Sequence, residues 1–521
     1  MSAAQAEAGA GAKGAEPRAD AGAWLAVAAG TLGALMATLD ISIVNSSLPT
    51  IQGEIGASGT EGTWIATGYL VAEIVIIPLS GWLERVLGLR TFLLVAAGLF
   101  TAFSVLCGVS TTLGMMIVGR VGQGFTGGAL IPTAQTIIAT RLPRSQQPIG
   151  TALFGATAIL GPVVGPLIGG WLTENLSWHY AFFLNVPVCA GLVVLLLVGL
   201  KHEPAKLDLI AEADWLGIFG LAAFLGGLTV VLEEGEREQW FSSSLIIWLS
   251  LLSFAGLLLL MAGQLTAKRP VIRLSLLLDR QFGSVVIMGI TVGMVIYGTS
   301  YVIPQFLATI SSYNALQSGK IVALGGLPSL MMMPLVPLLI RYVDIRVAVG
   351  FGLMVLATSA YLDTALSAQS AGGDFVISQL IRGVGTIFAM VFLNQAAIQS
   401  VSRENASDAA GLFNAARNLG GSLALAGIAV VQDQRLWLHS RRLEESLNAN
   451  RGGVQDYLAA QAHALGGMPQ ALRTLGGTIQ MQALTMTYID LFWILSVGIG
   501  CVIPLVLFLR PLNTGAPVAG H

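Results

Sequence analysis

The chain has 521 residues, of which 55% are hydrophobic and only 10% charged, whereas soluble domains carry roughly a quarter charged residues; its main solvent is hydrocarbon. A formal net charge of -2 provides no global basic field for nucleic acid. The three cysteines, Cys107, Cys189 and Cys501, all stand in apolar runs, with neither the spacing of a metal site nor a disulfide framework.

Residues 1–20 are small and polar, and such a composition is expected to stay disordered. The first apolar run, 22–47, is too long for the core of a cleaved signal peptide and reads as a retained helix. About twenty apolar residues cross a bilayer. On that rule further helices follow at 63–83, 91–110, 112–139, 148–172, 180–200, 213–232, 244–264, 282–308, 318–340, 346–367, 374–399, 408–431 and 486–509. That makes fourteen spans of an all-α membrane protein, with both termini on one side. Sixteen Lys and Arg fall in the N-terminal tail and the short loops on its side, against two, Arg237 and Lys320, on the other. Positive charge in short loops marks the cytoplasmic side, so both termini are expected there.

The second and tenth spans end alike. PLSGWLERVLGLR (78–90) aligns without gaps with PLVPLLIRYVDIR (334–346), and GRVGQG (119–124) echoes IRGVGT (381–386), placing Arg120 near Arg382. The echo divides the chain into an N-terminal six-helix half (21–200), two inserted helices (201–280) and a C-terminal six-helix half (281–510). Short tails (1–20, 511–521) flank them, and the second half is expected to include a long outer, periplasmic loop, 432–485. Parallel repeats of six place a substrate path between the halves near the midplane.

A charge at mid-helix costs about 2.5–3.5 kcal/mol even on the gentler insertion scale and usually faces the bundle interior. Asp40, Glu73, Arg120, Asp363, Arg382 and Arg417 stand within the spans. At 1.5 Å per residue, Arg120 and Asp40 both lie roughly 12 Å from the outer side and Glu73 about 15 Å. An acid and a base at matching depth can meet across the N-terminal half. Burial favours the neutral carboxylic acid and a nearby guanidinium the carboxylate, a balance suited to loading and releasing a proton. Asp363 is close enough to the outer end for solvation to explain it, and Arg382 and Arg417 read as structural.

The fifth span contains LGPVVGPLIGGWL (160–172). Small residues let helix backbones approach in lipid, and the prolines remove backbone donors that neighbours must compensate. This segment resembles the antiporter signature of major facilitator drug exporters. LDISIVNSSLP (39–49), RVGQGFTGGALIP (120–132), WHYAFFLNVP (178–187) and GLFNAARNLGGS (411–422) resemble motifs of the fourteen-span drug:proton antiporters, the EmrB/QacA type. The resemblance implies the major facilitator fold, two six-helix halves plus two inserted helices. It further implies proton-coupling roles for Asp40 and Arg120; Glu73, by its depth in the second span, is a further candidate for proton or cationic substrate. Gly161, Pro162, Gly165 and Pro166 are then expected to seal the halves against leak, with Gly169 and Gly170 completing the antiporter motif. The loop motif usually written G-x-L-x-D-R-x-G-R-K stands here as GWLERVLGLR (81–90). It keeps Gly81, Gly88 and Arg90 but puts Arg85 where the Asp belongs, so the inner gate is expected to be rewired, with Glu84 as a substitute.

Tyr297, Tyr301, Phe306 and Met331, in the ninth and tenth spans, are candidate substrate contacts, since thioethers and aromatics suit varied apolar ligands; lipid-facing or packing roles compete. The leucines at 436, 438, 443 and 447 suggest an amphipathic helix in the outer segment. By resemblance that segment implies a periplasmic membrane-fusion adaptor and an outer-membrane channel as partners, against a solvated loop with none. The expected function is proton-driven export of small amphipathic or apolar compounds across the inner membrane, with no cofactor, no metal and no ATP-binding G-x-x-x-x-G-K-[ST] run. A dedicated exporter of one metabolite, siderophore or fatty acid is the alternative. A membrane enzyme or sensor fits less well: the five histidines fall outside the spans, and no soluble signalling domain is present.

Overall fold

The computed structural model describes residues 19–510 apart from 58, 144, 268–269, 403–404, 448–451 and 466; the expectations for the two tails fall almost wholly outside them. The described residues form helices and turns without a strand. Hydrocarbon offers no partner for a free backbone group, so a helix, which satisfies its own, is the economical way across.

The first half contains α1 (Ala21–Ile55), α2 (Trp64–Leu87), α3 (Leu89–Gly108), α4 (Leu113–Gly127), α5 (Leu130–Arg141), α6 (Gln147–Asn175) and α7 (Asn185–Gly199). The inserted pair is α8 (Trp215–Glu234) and α9 (Ser244–Thr266). The second half contains α10 (Arg280–Thr309), α11 (Ala315–Leu324), α12 (Gly326–Met332), α13 (Val336–Tyr342), α14 (Ile345–Leu362), α15 (Val376–Gln399), α16 (Ala406–Ser446), α17 (Gly452–Leu465) and α18 (Met468–Val502). The face where α1 begins is the near face, and the opposite one the far face. Local chemistry sets several ends. Asp20 caps α1 by accepting from the Ala23 amide at 2.8 Å, and Gly56 ends it in the left-handed region at φ 71°, where glycine carries no Cβ penalty. Pro334 sits in a 3-10 turn, Met333–Leu335, that separates α12 from α13, and Gly325 separates α11 from α12.

Eleven described helices are long and apolar enough to cross a membrane. Three further long helical segments lie outside that set: Leu113–Arg141, interrupted between α4 and α5, Gln147–Asn175, and Ala406–Ser446. The outer segment 432–485 is not a loop. α16 runs unbroken to Ser446, α17 follows, and α18 begins at Met468, so the leucines at 436, 438 and 443 belong to the end of a long helix. His439 Nε2 and Arg435 Nη1 both approach Asp490 Oδ2, at 2.9 and 3.4 Å, fastening the α16 extension to α18.

Buried apolar side chains collect mainly within each half. One cluster joins α1, α3, α5 and α7 around Phe100, Leu130 and Leu192. Another joins α10, α14, α15 and α16 around Phe282, Leu353, Phe392 and Phe413. Within the first half, α1 and α6 lie against each other along a stripe of glycines. A Cβ on Gly161 would stand 2.7 Å from Thr38, one on Gly165 would collide with Ser42, and one on Gly169 would lie 2.7 Å from the Ile43 carbonyl. Thr38 Oγ1 donates to the Thr157 carbonyl at 3.3 Å, and Ser47 and Thr173 hydroxyls meet at 2.8 Å. The antiporter-like motif thus works first as a packing surface that fixes α1, and with it Asp40, against α6. Gly170 has open space around it and takes no part.

Gly165→Leu should therefore lower the thermal unfolding temperature in detergent, overpacking of this kind costing about 1–3 kcal/mol. Gly170→Ala should leave it unchanged. Equal behaviour of the two variants would dissociate the motif from helix packing.

Candidate functional site

Asp40 and Arg120 meet as an ion pair in which both side chains are essentially sealed from solvent. Arg120 Nη1 donates to Asp40 Oδ2 at 2.6 Å. The other carboxylate oxygen accepts from Gln123 Nε2 at 3.0 Å and from Asn185 Nδ2 at 2.7 Å. Asn185 is in turn held by Ser104 on α3, whose Oγ lies 2.9 Å away. Arg120 also donates through Nε to the Ile65 carbonyl at 3.2 Å and through Nη1 to the Gln123 side-chain oxygen at 3.1 Å. Its guanidinium also lies 4.3 Å from the centre of the Tyr69 ring, a favourable cation–π placement. Five helices, α1, α2, α3, α4 and α7, therefore converge on one carboxylate and one guanidinium. Sequence depth alone brings Asp40 and Arg120 to one level; it gives no sign of the polar shell of Gln123, Asn185, Ser104 and Tyr69 around them.

Glu73, also buried, is not part of that pair. It looks the other way, to α16, within hydrogen-bond reach of Asn418 and in the field of Arg417 and Arg120. Gly128 lies against it, a Cβ there falling 2.9 Å from Glu73 Cγ. Glu73 thus faces the second half, and Arg417 supplies the basic neighbour that the sequence did not identify.

Close to the near face the two halves are stitched together. Arg85 Nη1 donates to Asp408 Oδ1 at 2.9 Å, and Ser407 Oγ donates to Glu84 Oε2 at 3.3 Å. Gly81 permits this approach, since a Cβ there would lie 2.6 Å from Ser407 Oγ. In the loop motif Glu84 accepts the Ser407 hydroxyl, and Arg85 finds its acid on α16. Gly88 has φ 75°, and a Cβ on it would stand 3.0 Å from the Glu203 carbonyl. Arg90 borders a shallow cleft with His202. Deeper in, Gln135 Nε2 donates to Asn394 and its oxygen accepts from Asn414 Nδ2, at 2.7 and 2.9 Å. Thr151 donates to Gln395 at 2.8 Å. These inter-half bonds among the described residues gather toward the near face, while Asn45, on the far part of α1, is exposed. These bonds close the chain on the near side.

Asp363 requires a correction. It is buried and paired with Arg382, whose Nη1 also donates to Gln379 at 3.1 Å, so solvation does not explain it. The Arg repeat is real in three dimensions, but the acid comes from a different helix in each half, α1 in one and the end of α14 in the other. Phe306 is also corrected as a substrate contact. It is fully buried between Phe375 and Tyr488, with ring centroids 5.4 and 5.5 Å away, and offers a ligand no surface. Tyr297 and Tyr301 keep 39% and 46% of their surfaces exposed, and Met331 keeps 79%. Pro166 is half-buried on α6, and the side chain of Pro162 lies outside the described residues.

A family model described as Major Facilitator Superfamily matches residues 30–425. The chain is 33% identical over 480 residues to the colistin resistance protein EmrB of Acinetobacter baumannii, covering 91% of this chain and 94% of the relative. It is 30% identical to the multidrug export protein EmrB of Escherichia coli, covering 92% and 94%. Among solved structures, the human organic anion transporter MFSD10 superposes with a TM-score of 0.60 at 15% identity, covering 92% of this chain and 99% of its own, a likeness of fold alone.

Arg85 is 42% exposed, so its bond to Asp408 is worth at most about 1 kcal/mol. Arg85→Asp or Asp408→Arg alone should shift the population toward near-face opening by up to roughly fivefold, read as accessibility of a cysteine placed on the near side of α16. The charge-swapped double variant should return it to the starting value. Failure of the swap to restore closure would show that the pair is not a latch.

Proposed function

The chain belongs to the major facilitator superfamily, in its EmrB-type branch, and from that premise we propose that it is a proton-coupled antiporter. It exports small amphipathic or apolar compounds across the inner membrane by alternating access, drawing on the proton gradient without a cofactor. In this reading fourteen spans, grouped as 21–200, 201–280 and 281–510, put the near face and both termini in the cytoplasm. The far-face projection of α16, α17 and α18 is then the place for a periplasmic adaptor and its outer-membrane channel.

The observation that supports this most directly is the wiring of Asp40. Protonating its carboxylate cancels the charge that holds Arg120 Nη1. Beyond its own helix, the contacts left to Arg120 are the Ile65 carbonyl and the Tyr69 ring, both on α2. The same helix carries Glu73 at mid-depth and Glu84 and Arg85 at its near end. A proton taken up on α1 is therefore felt by α2, and α2 is the helix that holds the near-face latch. Neutralising Asp40 loosens that latch and lets the cytoplasmic side open to substrate, and proton release restores the pair. Transmembrane potential adds about 2.3 kcal/mol per charge per 100 mV when protons carry net charge inward. Tyr297 and Tyr301, exposed on α10, are the apolar surface best placed to meet cargo.

In liposomes with an imposed proton gradient and a pH-sensitive dye, added compounds should trigger proton release from wild type and not from Asp40→Asn, provided the variant elutes as a folded monodisperse species. Equal responses would make Asp40 structural and direct attention to Glu73. A response confined to one compound class would favour a dedicated exporter over a multidrug pump.

A further inference from the structure

Between the two halves, α8 ends in two adjacent glutamates that point to opposite sides. Glu234 Oε1 accepts from Thr67 Oγ1 of α2 at 2.8 Å, and its other oxygen meets Arg237 Nη2 at 2.6 Å. Arg237 reaches on to Thr63 Oγ1, also on the first half, at 3.1 Å. Glu233 Oε1 instead accepts from Ser422 Oγ of α16 at 2.7 Å. Further in, a Cβ on Gly226 would stand 3.6 and 3.5 Å from Val71 and Val75 on α2, and Leu419 of α16 packs on the cluster that contains Leu221 and Leu225.

The level of these contacts matters. Toward the near face α2 and α16 touch directly, a Cβ on Gly411 falling 3.0 Å from the Ile77 carbonyl. Thr67 lies ten residues, about 15 Å, beyond Ile77, and Ser422 eleven residues, about 16 Å, beyond Gly411. At that level α8 sends a carboxylate to each helix. The two attachments are unequal. On the first-half side, Glu234 and Arg237 provide two bonds, and the near end of the insertion is held to the same half by Lys206 N to the Val86 carbonyl at 2.7 Å and by Arg141 with Glu203 at 2.9 Å. On the second-half side, Glu233 is the α8 side chain that hydrogen-bonds across, among the described residues.

We propose that the inserted helix is a brace on the far-side opening: it rides with the first half, and the Glu233–Ser422 hydrogen bond is the releasable arm that holds α16 in the far-open arrangement. Glu233 and Ser422 are thus positioning residues for the transport cycle. The inference rests on the alternating-access reading. When the far ends of α2 and α16 approach, the strongly held Glu234 side stays and the Glu233 side lets go.

The test uses the full chain in lipid nanodiscs with spin labels at three positions: Gln239 just past α8, and Gly53 and Gly427, where nothing lies within 4 Å of a Cβ. Cys501 is replaced by serine to free the labelling chemistry. Distances are measured in acid buffer, in alkaline buffer, and in an Asp408→Arg background that weakens the near-face latch. The 239–53 distance should stay constant while 239–427 and 53–427 change together. Glu233→Leu and Ser422→Ala should shift the far-open population by roughly tenfold, the scale of one hydrogen bond to a charged group, and change kcat with little change in KM. Glu233→Gln, which keeps an acceptor for Ser422, should restore most of both. A 239–53 distance that changes while 239–427 stays fixed would place the insertion with the second half and overturn the brace. Leu and Gln variants that behave alike would also overturn it. A 53–427 distance fixed under all three conditions would sink the alternating-access reading itself, and the brace with it.

Discussion

A carboxylate and a guanidinium buried in a lipid-embedded bundle tolerate no missing partner, and this requirement organises the first half. Removing one member of a buried pair typically costs about 3–5 kcal/mol, so every lone pair of Asp40 and most donors of Arg120 must be met in place. Gln123 and Asn185 complete the carboxylate, and the Ile65 carbonyl and Tyr69 ring complete the guanidinium. Meeting them fixes the rotation and height of α1, α2, α4 and α7 relative to one another. The pair is thus a registration device before it is anything chemical, and its protonation carries mechanical weight because so many helices answer to it.

Glycine makes such convergence possible. With little hydrophobic drive between helices in lipid, association depends on close packing, and this chain places glycines where polar groups must be brought together. Gly161, Gly165 and Gly169 set α1 on α6 around Asp40, Gly81 admits Ser407 to the latch, and Gly128 lies against Glu73. Inter-half contacts are different in kind. Gln135, Asn394, Asn414, Thr151 and Gln395 join the halves through neutral hydrogen bonds. Neutral bonds of this sort exchange for water at modest cost, and the Arg85–Asp408 bridge that joins them is partly exposed and weak, as suits a surface that opens and closes, whereas the buried Asp40–Arg120 pair stays within one half.

Much of this architecture is legible in the sequence, for physical reasons. Hydropathy locates helices because length and apolar character are direct demands of the bilayer. Depth along a helix is arithmetic, so residue numbers alone set Asp40 and Arg120 at one level. Which neutral side chains complete a buried charge depends on helix rotation, and Asn185 or Ser104 has no periodic signature to reveal it. Asp363 misleads because distance from a helix end says nothing about what packs over that end. Phe306 misleads because an aromatic in a membrane helix reads the same whether it faces cargo or core. The 432–485 segment is underestimated for the opposite reason: its charges argue against a span, yet α16 simply continues as helix after leaving the apolar zone.

That continuation has a mechanical consequence. α16 is 41 residues long without an internal proline, about 60 Å from end to end. Asp408 of the latch stands at one end, and His439, clasped to Asp490, stands near the other. A rod gripped at its foot by the gate and carried past the membrane at its tip turns a tilt of about 10° into a sweep of about 10 Å. Whatever rests against the projecting tip therefore feels the state of the gate on the opposite side of the bilayer.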